Sequence, residues 1–328
     1  MCKIINNTTT ELTNLTVVTT LDFLNGDKKL LERALYFIKS AQKIGVNVVI
    51  GLAARNKKVQ LTFEKLASNY TCCLIEKVQC MGIVINNSLL RNVALSKVST
   101  AFLIYLDIDI FLDKDLLIDM VKSTEKEQFS AVPCLYLSES ESKLFQKQAN
   151  PKASIVINKY LNGDKACYRN LALPSSVIML TKDLAQRIGP WDILFNGHGF
   201  EDFDYEIKLF KELNLLTFDE ESKVYNPTQA CALMRGFRAD LALFYTKNLF
   251  SKKWAIHLFH EVRNRANYSK MRQQNHTYFN NKHFKNENDN LLRQTLDIFF
   301  SVPKILSVME KQAQVQANLF EDFKVLFI

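Results

Sequence analysis

A chain of 328 residues, 48% hydrophobic and 23% charged, can build a full core and does not read as disordered; length alone permits one large domain or two smaller ones. With no run near eighteen apolar residues, no signal-like start in MCKIINNTTTELTNLTVVTT, and seven scattered cysteines without a CxxC pair, the sequence points to a cytosolic protein with reduced thiols. Its net charge of +8 is concentrated late, with 13 Lys and Arg against 7 Asp and Glu from Lys247 onward. No recognition motif or aromatic-interleaved basic run accompanies the charge to suggest nucleic acid.

The first 135 residues alternate between two periodicities. LTVVTTLDF (15–23) is a β-rich run, and DKKLLERALYFIKSAQKIG (27–45) has helical spacing closed by Gly45. VNVVIGLA (46–53) reads as a buried strand, KKVQLTFEKLASNY as a helix, and TCCLIEKV (71–78) as a strand. IVINNSLLRNVALSKV (83–98) predicts a third helix and AFLIYLDID (101–109) a fourth strand. DKDLLIDMVKSTEKE (113–127) is then a helix opened by acids, and FSAVPCLYL (129–137) one further strand. Such alternation predicts a mostly parallel sheet with helices on both faces and ligands gathered at the carboxyl ends of its strands. Residues 138–174 are polar and turn-rich and read as an irregular, substrate-facing insertion. VIMLTKDLAQRIGPWD returns to strand, helix and turn, 264–290 is rich in Asn, Gln and Lys, and amphipathic helical spacing closes the chain.

Two short stretches carry chemistry. In FLIYLDID, Asp107 and Asp109 end an apolar strand, where a carboxylate is costly to desolvate and two with one residue between can share a divalent cation. The bland alternative is a strand that ends in polar residues at a turn. Aspartyl-phosphate phosphohydrolases also end a strand in a similar pattern, but on their first strand, and Ile110 stands where they carry Thr or Val.

In GPWDILFNGHGFEDFDYEIKLF (189–210), a chain with only nine glycines places Gly189, Gly197 and Gly199 within eleven positions, just before Glu201 and Asp202. Acids favour helix N-termini for electrostatic reasons alone, yet glycines also let backbone approach a bulky ligand, and a carboxylate beside them can take a proton from a hydroxyl.

W-D-x-x-F-x-G-x-G-x-E-D-x-D, read from Trp191 to Asp204, resembles the acceptor-side signature of inverting GT-A fold glycosyltransferases. It is similar to the β-1,4-galactosyltransferase, chondroitin-polymerase and polypeptide N-acetylgalactosaminyltransferase groups and to bacterial capsule and lipooligosaccharide enzymes. Asp107-Ile108-Asp109 then matches a metal-binding DxD, Arg91-Asn92-Val93-Ala94 the R-N-x-[GA] segment before it, and His257-Leu258-Phe259-His260 a later His motif. The resemblance implies a GT-A, Rossmann-like α/β fold and a Mn²⁺ or Mg²⁺ cofactor bound by Asp109 and His260, with His257 the second choice. It implies a UDP-sugar donor contacted by Thr19, Thr20, Asp22, Arg91, Asn92 and Asp107. Trp191, Gly197, His198 and Gly199 would receive a glycan acceptor, oriented by Glu201 and deprotonated by Asp202. His198 and Phe200 depart from the usual Trp and Gly, which bears on specificity more than on chemistry.

The expected division is a catalytic domain at 1–265, with a nucleotide-sugar half (1–135) and an acceptor half (136–265), and a basic, helical extension at 266–328. The expected activity is transfer of a hexose or N-acetylhexosamine in bacterial surface polysaccharide synthesis; a non-catalytic carbohydrate- or partner-binding module on the same fold is the rival. Lys304, Lys311 and Lys324 among apolar residues suit either a helix at the inner face of a membrane, a partner enzyme, or packing on the catalytic domain.

Overall fold

The structure, a computed structural model, describes residues 10–24, 28–55, 57–80, 84–218, 222, 236–261 and 265–284. The expected interfacial segment around Lys304, Lys311 and Lys324 lies outside them. In chain order come α1 (Thr10–Thr13), β1 (Leu15–Leu21), α2 (Lys28–Ile44), β2 (Asn47–Ala54), α3 (Lys58–Ala67), β3 (Cys73–Gln79), α4 (Asn87–Leu95), β4 (Phe102–Tyr105) and α5 (Lys114–Glu127). Then follow β5 (Phe129–Ala131), β6 (Cys134–Leu137), α6 (Glu139–Lys147), α7 (Ala153–Leu161), β7 (Tyr168–Ala172), β8 (Ile178–Thr181) and α8 (Lys182–Ile188). The last described elements are α9 (Glu201–Glu212), α10 (Phe237–Ala242), α11 (Thr246–Phe250), β9 (Ala255–His257) and α12 (Arg265–His283).

Six strands form the central sheet in the order β3-β2-β1-β4-β8-β5. The first four are parallel, and β8 runs antiparallel to both neighbours. Alternate residues of β4 enter opposite cores. Leu103 and Tyr105 join one with residues of α4, α8 and α9, while Phe102 and Ile104 join the other with residues of α2, α3 and α5. A sheet buried on both faces explains why these strands read as continuous apolar runs. From β1 the chain builds outward through β2 and β3, then crosses back to place β4 on the other side of β1. The crevice that ligands favour in such sheets therefore opens between the carboxyl ends of β1 and β4.

Two expectations are corrected. The single strand at 129–137 is two strands in different sheets, because the prolyl nitrogen of Pro133 has no hydrogen to give to a ladder. Val132 still donates its N–H to Val177 O, after which β6 joins a small second sheet, β7-β6-β9. Residues 138–174 are also more regular than predicted. Ser138 caps α6 by accepting from the Glu141 N–H, and buried Phe145, Val156, Ile157 and Tyr160 anchor α6 and α7 to the core.

Helix α4 lies close against β2, and Gly51 makes this approach feasible: a Cβ there would stand 2.0 Å from the Leu90 carbonyl oxygen. Since that obstacle is backbone, Gly51→Ala forces α4 off the sheet and should lower the free energy of unfolding in urea by about 3 kcal/mol.

Candidate active site

The β4 ladder stops at Tyr105, and Asp107 and Asp109 fall in the turn that follows. That turn is tied to β9. Phe111 donates its N–H to Ile256 O, Leu258 donates to Asp109 O, and Ile110 bridges His257. Residues nearly 150 positions apart in the sequence are thus held together by backbone bonds. Asp109, His257 and His260 each bring a ligand atom within 4.8 Å of the others, the one such group found among the described residues. His260 Nε2 stands 3.6 Å from Asp109 Oδ2. Burial, then the nearby His260, lowers His257 to about 3, so its ring is neutral, as a metal ligand requires. The His257 ring is also stacked on Tyr136 at 4.1 Å between centroids, which fixes its plane. A carboxylate and two imidazoles suit Mn²⁺ or another borderline-hard dication. Burial pushes the Asp109 carboxyl up, opposed by His260 and by Arg33, whose Nη1 lies 3.0 Å from Oδ1. Nothing in the sequence singles out Arg33, which sits on α2 beside Ala34 and Phe37 of the buried face.

Arg91 joins the two acidic clusters. Its guanidinium, only 7% exposed, stands 3.8 Å from Asp107 Oδ1 and 3.9 Å from Glu201 Oε1. It lies 4.2 Å above the Trp191 ring, which is itself stacked on Tyr205 at 4.1 Å and 3°. A desolvated cation over an indole gains about 2 kcal/mol. Trp191, expected among the acceptor contacts, is 3% exposed and forms the floor under Arg91. Asn92 is engaged with the same loop: it accepts from the Trp191 N–H at 2.7 Å and donates to Trp191 O at 2.8 Å. Its amide thus clasps the loop to α4 where the resemblance implied a donor contact. Asn86, unmarked in the sequence reading, does similar work by donating to Ile193 O while capping α4.

At the end of β1, both carboxylate oxygens of Asp22 accept from Arg55, at 2.7 and 3.1 Å. Thr20 donates to Asn87 Oδ1. The buried Thr19 hydroxyl, Arg91 Nη1 and Glu201 Oε2 have no hydrogen-bond partner among the described residues. Orphaned buried polar atoms are costly, and these three belong to residues around the crevice mouth, where a polar ligand would satisfy them.

The glycine segment meets a helix. Gly197 and Gly199 have φ of 78° and 97°, and added Cβ atoms would stand 2.9 Å from Met271 Cβ and 2.8 Å from Arg272 Nη1 of α12. The space beside them, expected to admit an acceptor sugar, is filled by α12; His198 between them remains exposed. Asn275 donates to both Asn196 O and Gly199 O at 2.9 Å. Asp192 accepts from Tyr278 at 2.8 Å and Lys282 at 2.6 Å, while Asp204 accepts from Lys282 and faces His283, each at 2.7 Å. Burial alone would raise Asp192, but bonds from Lys282, the Leu194 N–H and Tyr278 outweigh it and hold the carboxyl below its ordinary range. This part of the attachment is complete above the ordinary carboxylate range and is lost as pH falls through the lowered value. Asn275→Ala leaves two carbonyls without their donor; it should reduce stability by about 2 kcal/mol in thermal unfolding while nucleotide binding is unchanged.

These pairings sort the acids of the segment. Asp192 and Asp204 fasten α12, and Glu201 faces Arg91. Glu206 is wholly buried, and burial followed by the charge of Asp202 pushes it well above its ordinary value, opposed by Tyr245 and Arg238. Asp202 is half-buried, accepts only from the Phe203 N–H at 3.0 Å, and has no ion-pair partner among the described residues.

A groove of about 750 Å³ lies outside this crevice, between α2, the start of α5 and the α6–α7 loop, and holds none of Arg91, Asp107, Asp109, Glu201, Asp202, His257 or His260.

Residues 84–286 match the family described as glycosyltransferase like family 2, and the chain belongs to that family. Its mixed sheet with helices on both faces is the GT-A architecture. Among solved structures it is similar to the S. aureus TarS fragment 1-349, at 14% identity and a TM-score of 0.37, covering 60% of this chain and 55% of that one. It is also similar to the glucosyl-3-phosphoglycerate synthase of Mycobacterium tuberculosis in complex with Mn²⁺, UDP and glucosyl-3-phosphoglycerate. There the identity is 12%, the TM-score 0.43, and the coverage 82% of this chain and 79% of that one. A third is the mannosyltransferase PcManGT of Pyrobaculum calidifontis in complex with GDP-Man and Mn²⁺, at 12% identity and a TM-score of 0.45, covering 84% and 65%. The chain thus spans about half the length of the TarS fragment. No curated protein sequence matches it significantly. No described helix is long and apolar enough to cross a membrane.

Proposed function

We propose that the chain is a metal-dependent, inverting glycosyltransferase that moves a hexose or N-acetylhexosamine from a UDP-sugar to a glycan acceptor. The observation that carries this reading is the position of Arg91, within 4 Å of acids from both clusters, which makes one crevice of two distant stretches. Residues 1–135 furnish the donor side and 136–265 the acceptor side, with α12 closing over the glycine loop. Asp109, His257 and His260 would hold Mn²⁺ or Mg²⁺. When bound, the ion neutralises charge on the departing nucleoside diphosphate.

The remaining steps belong to the side chains. Thr19 and Asp107 contact the donor at the crevice mouth, and Arg91 keeps Asp107 and Glu201 apart at a fixed spacing. Glu201 orients the acceptor sugar. Asp202, alone among the acids of its segment in being both partly exposed and without a cation among the described residues, takes the proton of the acceptor hydroxyl as its oxygen attacks the anomeric carbon. The bond from that carbon to the diphosphate breaks, its electron pair leaves with UDP, and the configuration inverts. The choice of a bacterial surface glycan as acceptor is supported by the sequence resemblance.

A screen of nucleotide sugars with and without Mn²⁺ tests the reading. UDP release from a UDP-hexose or UDP-N-acetylhexosamine only when Mn²⁺ is present supports it; no release from any nucleotide sugar overturns it.

A further inference from the structure

We infer that Arg272 of α12 selects the acceptor: its guanidinium receives a carboxylate or phosphate carried by the sugar whose hydroxyl Asp202 deprotonates. The inference rests on the reading of Glu201 and Asp202 as the acceptor side and adds to it the charge of the acceptor.

Two contacts place the guanidinium. Its Cζ lies 5.2 Å from the centroid of the Phe200 ring, and an added Cβ at Gly199 would stand 2.8 Å from its Nη1. Phe200 caps the start of α9, so Glu201 and Asp202 follow it directly and the cation sits at the same end of that helix. Phe200 also holds φ at 72°, a left-handed conformation unfavourable for a bulky side chain. A glycine would relieve that backbone but would remove the buried ring that lies under Arg272 and packs on Phe279 at 5.2 Å. The charge held there is not matched locally. Lys282 of the same helix is paired with Asp192 and Asp204, whereas Arg272 has no carboxylate partner among the described residues. His276, one turn further on and 4.9 Å from the Phe200 ring, is lowered by burial and then by Arg272, so the imidazole yields its charge to the guanidinium. Arg272 is itself half-buried, held by the ring yet still reached by solvent. A guanidinium over an aromatic ring keeps its N–H edge for an anion, and a carboxylate or phosphate can take that edge with two parallel bonds.

Ligand-observed NMR on the full chain, saturated with UDP and Mn²⁺, tests this in wild type, Arg272→Gln and Arg272→Lys. The probes are methyl glucoside and methyl galactoside, the matching uronates and the matching 6-phosphates. Wild type should bind a uronate or a 6-phosphate about tenfold more tightly than the neutral sugar, and the stronger of the two anions tells a uronic acid from a phosphorylated acceptor. Arg272→Gln should erase that preference while neutral sugars bind as before; Arg272→Lys, which keeps the charge but not the fork, should keep part of it. No preference in wild type, a preference that survives Arg272→Gln, an equal loss for neutral and anionic sugars, or weaker UDP binding by that variant overturns the inference. With wild type binding UDP in the presence of Mn²⁺, each of these outcomes leaves the glycosyltransferase reading standing. A wild type that binds no UDP overturns both.

Discussion

Asp202→Asn leaves UDP-sugar binding nearly intact while turnover falls by about two or more orders of magnitude, the range for loss of a general base. The substitution is close to isosteric, and the asparagine oxygen can still accept from the Phe203 N–H in the first turn of α9. Nothing else in the segment can substitute. Asp192 and Asp204 are held by Lys282, Glu201 faces Arg91, and Glu206 is wholly buried. Single-turnover rates alongside calorimetry with UDP separate the two effects. Unchanged turnover removes Asp202 from the chemistry; a parallel loss of donor affinity gives it a structural part in the crevice instead.

Asp109→Ala should abolish the Mn²⁺-dependent share of UDP binding. Loss of an outer partner of a metal ligand already costs about 10–100-fold in affinity, so loss of a carboxylate ligand should cost at least about 100-fold. The same change also strands Arg33, a second reason for the pocket to reject a cation. Titration of UDP with and without Mn²⁺ reads it directly: wild type gains affinity from the ion and Asp109→Ala gains none. A variant that responds to Mn²⁺ as wild type does places the ion elsewhere.

The parallel half of the fold was legible because strands buried on both faces must be apolar throughout and the helices between them must show a 3.6-residue stripe; β1, α2, β2, α3, β3 and α5 all fall where these patterns lie. Asp107 and Asp109 stood out for a related reason, as charge at the end of an apolar run. What stayed hidden depends on distant partners. Pro133 marks a break in a strand, but only Val177 and Ala255 show that the chain changes sheets there. Gly197 and Gly199 read as places for a bulky ligand, and no local pattern says that the body packed against them is α12, whose polar composition conceals Asn275, Tyr278 and Lys282 as docking residues. Arg33 carries no signal at all: on a helix, an arginine paired with a buried carboxylate and a solvated one look the same until Asp109 lies opposite.

The backbone ties between the turn after β4 and β9 set a schedule for synthesis. Asp109 leaves the ribosome early, but its two histidine companions follow well over a hundred residues later, and α12 later still. The parallel strands can pair while translation continues, yet neither the grouping of Asp109, His257 and His260 nor the cover of the glycine loop exists until most of the chain is out. A prematurely terminated polypeptide would therefore present the parallel sheet without these late partners.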